Sequence, residues 1–276
     1  MKTSKGKRVT PLPSPGPTDK GRGKKYRSGS TSSLRPELRP RGDSRSASRG
    51  VDRLTIAIDG PSGAGKSTVA RSLARRLGYV YVDTGAMYRS LALKVKERGI
   101  SPEDELGLEQ MALSLHVRLV TEGEQTRVFC EGEDITEDIR TAEISRLASS
   151  ISRQKGVREA LVQKQREMGK EGGVVLEGRD IGTVVFPDAD VKFYLDAESD
   201  ERIRRRYNEM VEKGVKVDLK ETREELLQRD YNDTHRVHSP LKKAIDAVFV
   251  DSTHRSVEEV VEEMTRFIQE RTKSDK

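Results

Sequence analysis

The sequence predicts an α/β fold built on a parallel sheet, and three observations predict it. Short apolar, β-branched runs alternate with helical patterns from Leu54 onward, the first run ends in a glycine-rich turn, and Gly78 and Gly99 stop the first two helical patterns. The 276 residues, 33% of them apolar, are enough for one large domain or two small ones with a sizeable core.

Leu54-Thr-Ile-Ala-Ile-Asp59 is apolar without alternation, as a strand buried on both faces should be. From Lys66 to Leu77 the residues Val69, Leu73 and Leu77 recur every fourth position on one helical face, and Gly78 terminates it. Tyr79-Val-Tyr-Val82 reads as a second strand and Ala86 to Arg98 as a second helix, which completes a βαβα opening. Between Glu105 and Ala148 the pattern changes. A short helix is followed by Val117–Val120 and Arg127–Cys130, separated by the turn-like Glu122-Gly-Glu-Gln, which predicts a hairpin in a small inserted subdomain. Helices are expected over Ala142–Ser152 and Val157–Met168, then core strands over Gly173–Glu177 and Val191–Leu195. Charged helices over Ser199–Lys213 and Lys220–Arg236, a last strand at Ala247–Val250 and an amphipathic helix over Val257–Glu270 complete the pattern.

The charge is unevenly placed. Residues 1–50 hold 14 Lys and Arg against three acidic residues, a net of +11, so the total of +6 leaves the remainder at −5. That segment is Pro, Gly, Ser, Lys and Arg with almost no bulky apolar residue; it cannot bury enough surface to offset its ordering entropy and is expected to be a disordered basic tail. Two readings of it stand, a solvated tail and an arm that contacts nucleic acid. A single cysteine, Cys130, permits no intramolecular disulfide, and neither a membrane span nor a signal peptide is visible. A cytoplasmic protein is expected. His116, His235, His238 and His254 do not stand at metal-ligand spacing.

Gly60-Pro61-Ser62-Gly63-Ala64-Gly65-Lys66-Ser67 satisfies G-x-x-x-x-G-K-[ST] between a predicted strand and a predicted helix, the context in which that pattern grips phosphates. Glycines let backbone N–H groups and a helix N-terminus approach the oxygens; Lys66 should reach the β- and γ-phosphates and the Ser67 hydroxyl should ligate Mg²⁺. The loop alone names no reaction. No Asn-Lys-x-Asp guanine motif is present, which argues against a GTPase. Asp83-Thr-Gly-Ala-Met-Tyr-Arg89 and Glu177-Gly-Arg-Asp180 both follow core strands, where open α/β sheets bind their ligands. Arg158, Arg179, Arg229 and Arg236 exceed what one nucleoside triphosphate requires, which suggests that two polyanions are held together.

With these segments in view the chain resembles the bacterial cytidylate (CMP) kinases over residues 54 to about 270. The resemblance rests on Ile58–Thr68, Asp83–Arg89, Gly178–Asp188 and Arg229-Asp-x-x-Asp233-x-x-Arg236, in order and at family-like spacing. It implies a P-loop three-layer parallel sheet core in residues 51–276, with an inserted monophosphate-binding subdomain at about 84–170 and a helical lid at about 199–216. It further implies that Gly60 to Thr68 bind ATP, that Arg89 and Arg179 hold the CMP phosphate, that Thr84, Arg158, Asp180 and Arg236 surround the cytosine, and that Ser149, Arg229 and Asp233 lie near the sugar. Arg205 and Arg206 belong to the Arg202–Arg206 cluster that resembles the lid closing over ATP phosphates. Thr84 stands where some members have Ser, and Glu177 stands where others have Asp; Glu177 keeps the carboxylate that holds Mg²⁺ through water.

The implied reaction is direct in-line transfer from ATP to CMP or dCMP by Lys66, Arg179, Arg205 and Arg206. No general base is needed, because the acceptor phosphate is already anionic. The expected partners are these small molecules, with no membrane and no obligate protein partner, in a monomer. Kinases of another small acceptor, such as shikimate or gluconate, share the P-loop core, but the hairpin insert and the Arg229–Arg236 cluster argue against them.

Overall fold

The computed structural model describes residues 53–123 and 125–274; the basic segment 1–50 and its expected disorder lie outside the described residues. The chain forms β1 (Thr55–Asp59), α1 (Lys66–Leu77), β2 (Val80–Asp83), α2 (Thr84–Glu97), α3 (Glu105–Ser114), β3 (Val117–Glu122), β4 (Gln125–Cys130) and β5 (Glu133–Asp134). It continues through α4 (Ala142–Ile151), α5 (Lys155–Gly169), β6 (Val174–Gly178), β7 (Val191–Asp196), α6 (Ser199–Glu212), α7 (Leu219–His235), β8 (Val248–Asp251) and α8 (Val257–Ser274).

Five strands form a parallel sheet in the order β2-β6-β1-β7-β8. The register sets Asp59 beside Gly178 and Asp83 beside Glu177, so the P-loop, the Asp83 turn and the Gly178–Asp180 segment all leave the sheet at one edge. That edge is the C-terminal one, where a parallel sheet places its ligands.

The sheet is covered on both faces. Val69 and Leu73 of α1 and Val260, Val261 and Met264 of α8 pack on Ile56, Ile58, Val175, Phe193 and Val250. Across the sheet, Ala57, Val82 and Leu176 meet Val162 of α5 and Ile181, Val185 and Ala189. A third cluster joins α2 to α5 with the antiparallel sheet β3-β4-β5, from Ala86 to Leu161. Segment 84–169 therefore has a core of its own, hung on the end of the main sheet. Buried Cys130 is part of that core, and burial pushes its thiol pKa up.

Two features were absent from the sequence reading. β5 is two exposed residues, too short to show alternation. Residues Ile181–Val185 form one π turn after β6, a stretch whose Ile-Gly-Thr-Val-Val carries no helical period.

Helix α4 walls the acceptor side of the cleft described below, and its start depends on one hydroxyl. Thr141 caps it, accepting from the Ile144 N–H at 3.2 Å, and Glu143 in the first turn complements the helix dipole. Thr141→Ala is expected to cost about 1 kcal/mol in urea unfolding, while Thr141→Ser should cost little.

Candidate functional site

The P-loop is shaped by backbone constraints. At Gly60, φ is 153° and a Cβ would fall 1.9 Å from the Leu195 carbonyl oxygen, so no larger residue fits between β1 and β7. Gly65, at φ 87°, makes the left-handed step that opens α1, and the first residues of α1, Lys66 to Thr68, line the cleft. Three other elements brace the loop. Arg202 of α6 donates to the Ser62 carbonyl at 2.9 Å, Asp230 of α7 accepts from the Ser62 N–H at 3.3 Å, and Ser252 after β8 donates to the Ala64 carbonyl at 3.0 Å.

Lys66 is buried, with Nζ donating to the Pro61 carbonyl at 2.6 Å. Burial, then the guanidiniums of Arg179 and Arg229, push its pKa down to about 7, against the pull of Glu177. An anion bound at the loop would favour the charged form of Lys66. Ser67 donates to the Glu177 carboxylate, which also accepts from the Tyr81 hydroxyl at 2.7 Å; burial and then Asp83 raise the Glu177 pKa. Two oxygen ligands suited to a hard cation therefore stand side by side at the helix start.

The acceptor side is an ionic lattice drawn from distant parts of the chain. Arg179 Nε donates to Asp233 at 2.8 Å, and Arg89 Nη2 to Asp83 at 2.9 Å. Asp180 pairs with Arg158 through one carboxylate oxygen, and its other oxygen lies 3.7 Å from Arg236. Buried Thr84 donates to the Glu177 carbonyl at 2.6 Å. Arg229 lies among cations: burial, and then Arg179, lower its pKa to about 10, and its Nε has no hydrogen-bond partner. Arg158 Nε and Arg236 Nη2 are likewise buried donors without acceptors. Such groups cost free energy until a ligand supplies oxygen or ring nitrogen.

These parts line one cleft of about 890 Å³. Of the residues singled out in sequence, Ser62 to Thr68, Thr84, Arg89, Ser149, Arg158, Glu177, Arg179, Asp180, Arg205, Arg206, Arg229, Asp233 and Arg236 all face it. Gly60 and Pro61 do not; they sit buried behind the loop, one giving clearance and the other the carbonyl that receives Lys66. Thirteen Lys and Arg line the cleft against six carboxylates, which suits a pair of polyanions better than one.

The cluster at Arg202–Arg206 divides in function. Arg202 is buried and ties α6 to the Ala197 and Ser62 carbonyls and to Asp230. Arg205 reaches Ser252 Oγ at 3.0 Å and Glu201 at 2.8 Å, and Arg206 pairs with Glu209 at 2.9 Å. Both are part-exposed on the cleft wall, and Arg205 also donates to the Ser252 carbonyl at 2.5 Å and the Thr253 carbonyl at 3.2 Å.

Several contributors escaped the sequence reading: Asp59, Tyr81, Tyr88, Asp230, Ser252 and Arg255. Ser252 and Arg255 follow the last core strand, so the rule that sites form at strand C-termini pointed to them. Tyr88 was inside a quoted motif; burial carries its hydroxyl pKa up to about 12, so it stands as a neutral group on the cleft wall.

A family model described as cytidylate kinase matches residues 56–270. A cytidylate kinase of Geobacter sp. (strain M21) is 51% identical over 218 residues, which cover 79% of this chain and 94% of the relative. That of Geobacter sulfurreducens is 51% identical over 221 residues, 80% of this chain and 95% of the relative. Among solved structures, a shikimate kinase from Acinetobacter baumannii in complex with shikimate aligns with a TM-score of 0.41 at 15% identity, over 79% of this chain and 93% of that one.

Proposed function

This chain belongs to the cytidylate kinase family, and from that premise we propose that it transfers the ATP γ-phosphoryl group to CMP, and to dCMP, giving ADP and CDP or dCDP. The observation that carries the reading is the continuity of one cleft from the P-loop to the Arg158–Asp180–Arg236 lattice, with Lys66 and Arg179 both on its wall and close enough to repel each other.

ATP phosphates lie along the N–H groups of Ser62 to Thr68, with Lys66 on the oxygens of the transferring group. Arg205 and Arg206 exchange their present partners for phosphate oxygens, and the segment at 199–216 acts as the lid. Arg89 and Arg179 receive the acceptor phosphate. Thr84, Arg158, Asp180 and Arg236 meet the base edge, where the two orphaned guanidinium donors find acceptors. Ser149, Arg229 and Asp233 take the sugar. Segment 84–170 is the acceptor-binding insert.

The residues fit Mg²⁺, with Ser67 and, through water, Glu177 as its holders; when bound it neutralises charge on the phosphates. The chain's own contribution to the step is positional and electrostatic. Fixed cations bring two anions into line, and no side chain has to remove a proton from an acceptor already ionised. The reading includes a monomer working in the cytoplasm; among the described residues no helix is long and apolar enough to cross a membrane.

ADP release measured with CMP, dCMP, UMP, AMP and shikimate in turn tests the assignment. CMP and dCMP are expected to stimulate release at least tenfold over shikimate. No stimulation by CMP would overturn it.

A further inference from the structure

We infer that Asp59 is a positioning residue for the acceptor site, holding the Gly178–Gly182 backbone so that the Asp180 carboxylate stays on Arg158 and Arg236. The inference rests on the kinase reading above and adds to it a residue that touches neither nucleotide.

The argument starts from a turn that lacks its own cap. Asp180 begins the π turn at Ile181–Val185, and the first N–H groups of such a turn have no partner within it. An aspartate in that place ordinarily folds its carboxylate back onto those N–H groups. Asp180 does not: its side chain makes no capping bond, and its backbone lies at φ −147°, ψ 25°. The N–H groups of Ile181 and Gly182 donate instead to the two oxygens of Asp59, at 2.8 and 2.7 Å. One carboxylate caps the turn so that another is released to the cleft.

Asp59 is well placed for this. It is the last residue of β1, its backbone is in register with Gly178 of β6, and it is 4% exposed. The turn packs closely here: a Cβ at Gly182 would be in van der Waals contact with Asp59 Oδ2 at 3.4 Å and would press on Lys192 Cδ at 3.1 Å. The P-loop that begins at Gly60 has separate braces in Arg202, Asp230 and Ser252. Weakening the Asp59 cap therefore loosens the acceptor side selectively.

Asp59→Asn keeps one acceptor oxygen but presents an NH₂ group to the other N–H, so one charge-assisted bond becomes a donor facing a donor. Asp180 then has reason to turn back and cap its own helix turn, away from the arginines. The expected result is a KM for CMP raised about tenfold or more, with the KM for ATP changed less than twofold. Gly182→Val, whose methyls extend past a Cβ already in contact with Asp59 Oδ2 and Lys192 and so crowd the turn off Asp59, should show the same ratio and decides the matter if Asp59→Asn does not fold. Equal changes in both KM values, or an unchanged KM for CMP, would overturn the inference. Wild-type protein in the same assay separates the two ideas: if it shows no CMP-dependent ADP release, the kinase reading fails before Asp59 is at issue.

Discussion

Lys66→Met is expected to lower kcat for CMP phosphorylation by about three orders of magnitude while leaving the melting temperature unchanged or slightly higher. The two halves of that expectation have one cause. In the free protein the ammonium is buried, bonded to the Pro61 carbonyl and surrounded by Arg179 and Arg229, so charging it opposes folding. Its pKa falls from 10.5 in the ordinary state to about 7 here. Between those values the unfolded chain binds a proton that the folded chain does not, so wild-type stability rises with pH through that window. The Met variant lacks that slope and escapes the penalty that wild type bears below about pH 7. ATP phosphates reverse the balance by supplying the missing anion, and at pH 8 nucleotide binding should take up close to one proton. Calorimetric titration in two buffers of different ionisation enthalpy measures this uptake; Lys66→Met should abolish it. Normal turnover by the variant would remove the P-loop from the mechanism.

The sequence was most legible where chemistry and chain order coincide. Gly60 to Ser67 is contiguous, and its flanking strand and helix appear where the apolar pattern put them, β1 at Thr55–Asp59 and α1 at Lys66–Leu77. The hairpin also stands as expected, with Val117 opposite Cys130 and Glu122 opposite Gln125. Legibility declined where one residue serves another at long range. Asp59 read as the polar end of a strand, because its partners at Ile181 and Gly182 are more than 120 residues away and are backbone groups, which leave no side-chain signature. Arg202 and Arg205 were indistinguishable in a run of cations, yet one faces inward to the P-loop and the other faces the cleft; a three-residue offset on a helix partly buried against two neighbours decides this. The π turn was hidden for a related reason. Five residues have too few periods to announce a helix, and this turn depends on a carboxylate from another strand.

Asp180→Ala is expected to be the most damaging single change in the acceptor half, costing about 3–5 kcal/mol of stability together with CMP activity. Asp180 is the shared counter-ion of two guanidiniums: Arg158, which otherwise donates to the Ser152 carbonyl at 3.2 Å, and Arg236, which otherwise donates to the Ser239 carbonyl at 2.6 Å. Arg158 enters the environment of Arg236 as a like charge, visible in the lowered pKa of Arg236, for which burial and then Arg158 are the leading causes. Removing the carboxylate leaves two buried cations facing each other, with Asp233, 3.9 Å from Arg236 and already engaged by Arg179, as the remaining carboxylate near them. For a fold of this size the loss should lower the melting temperature by roughly 10 °C. Asp180→Asn, which keeps an acceptor and removes the charge, should lie between wild type and Ala in urea unfolding. Arg158→Met combined with Asp180→Ala should recover part of the stability, since it deletes one of the two unpaired cations, but none of the CMP turnover, since both groups face the cleft. Recovery of stability without activity would separate the structural role of the lattice from its role in holding the base; failure of the double variant to recover any stability would show that the two cations are not what Asp180 holds in place.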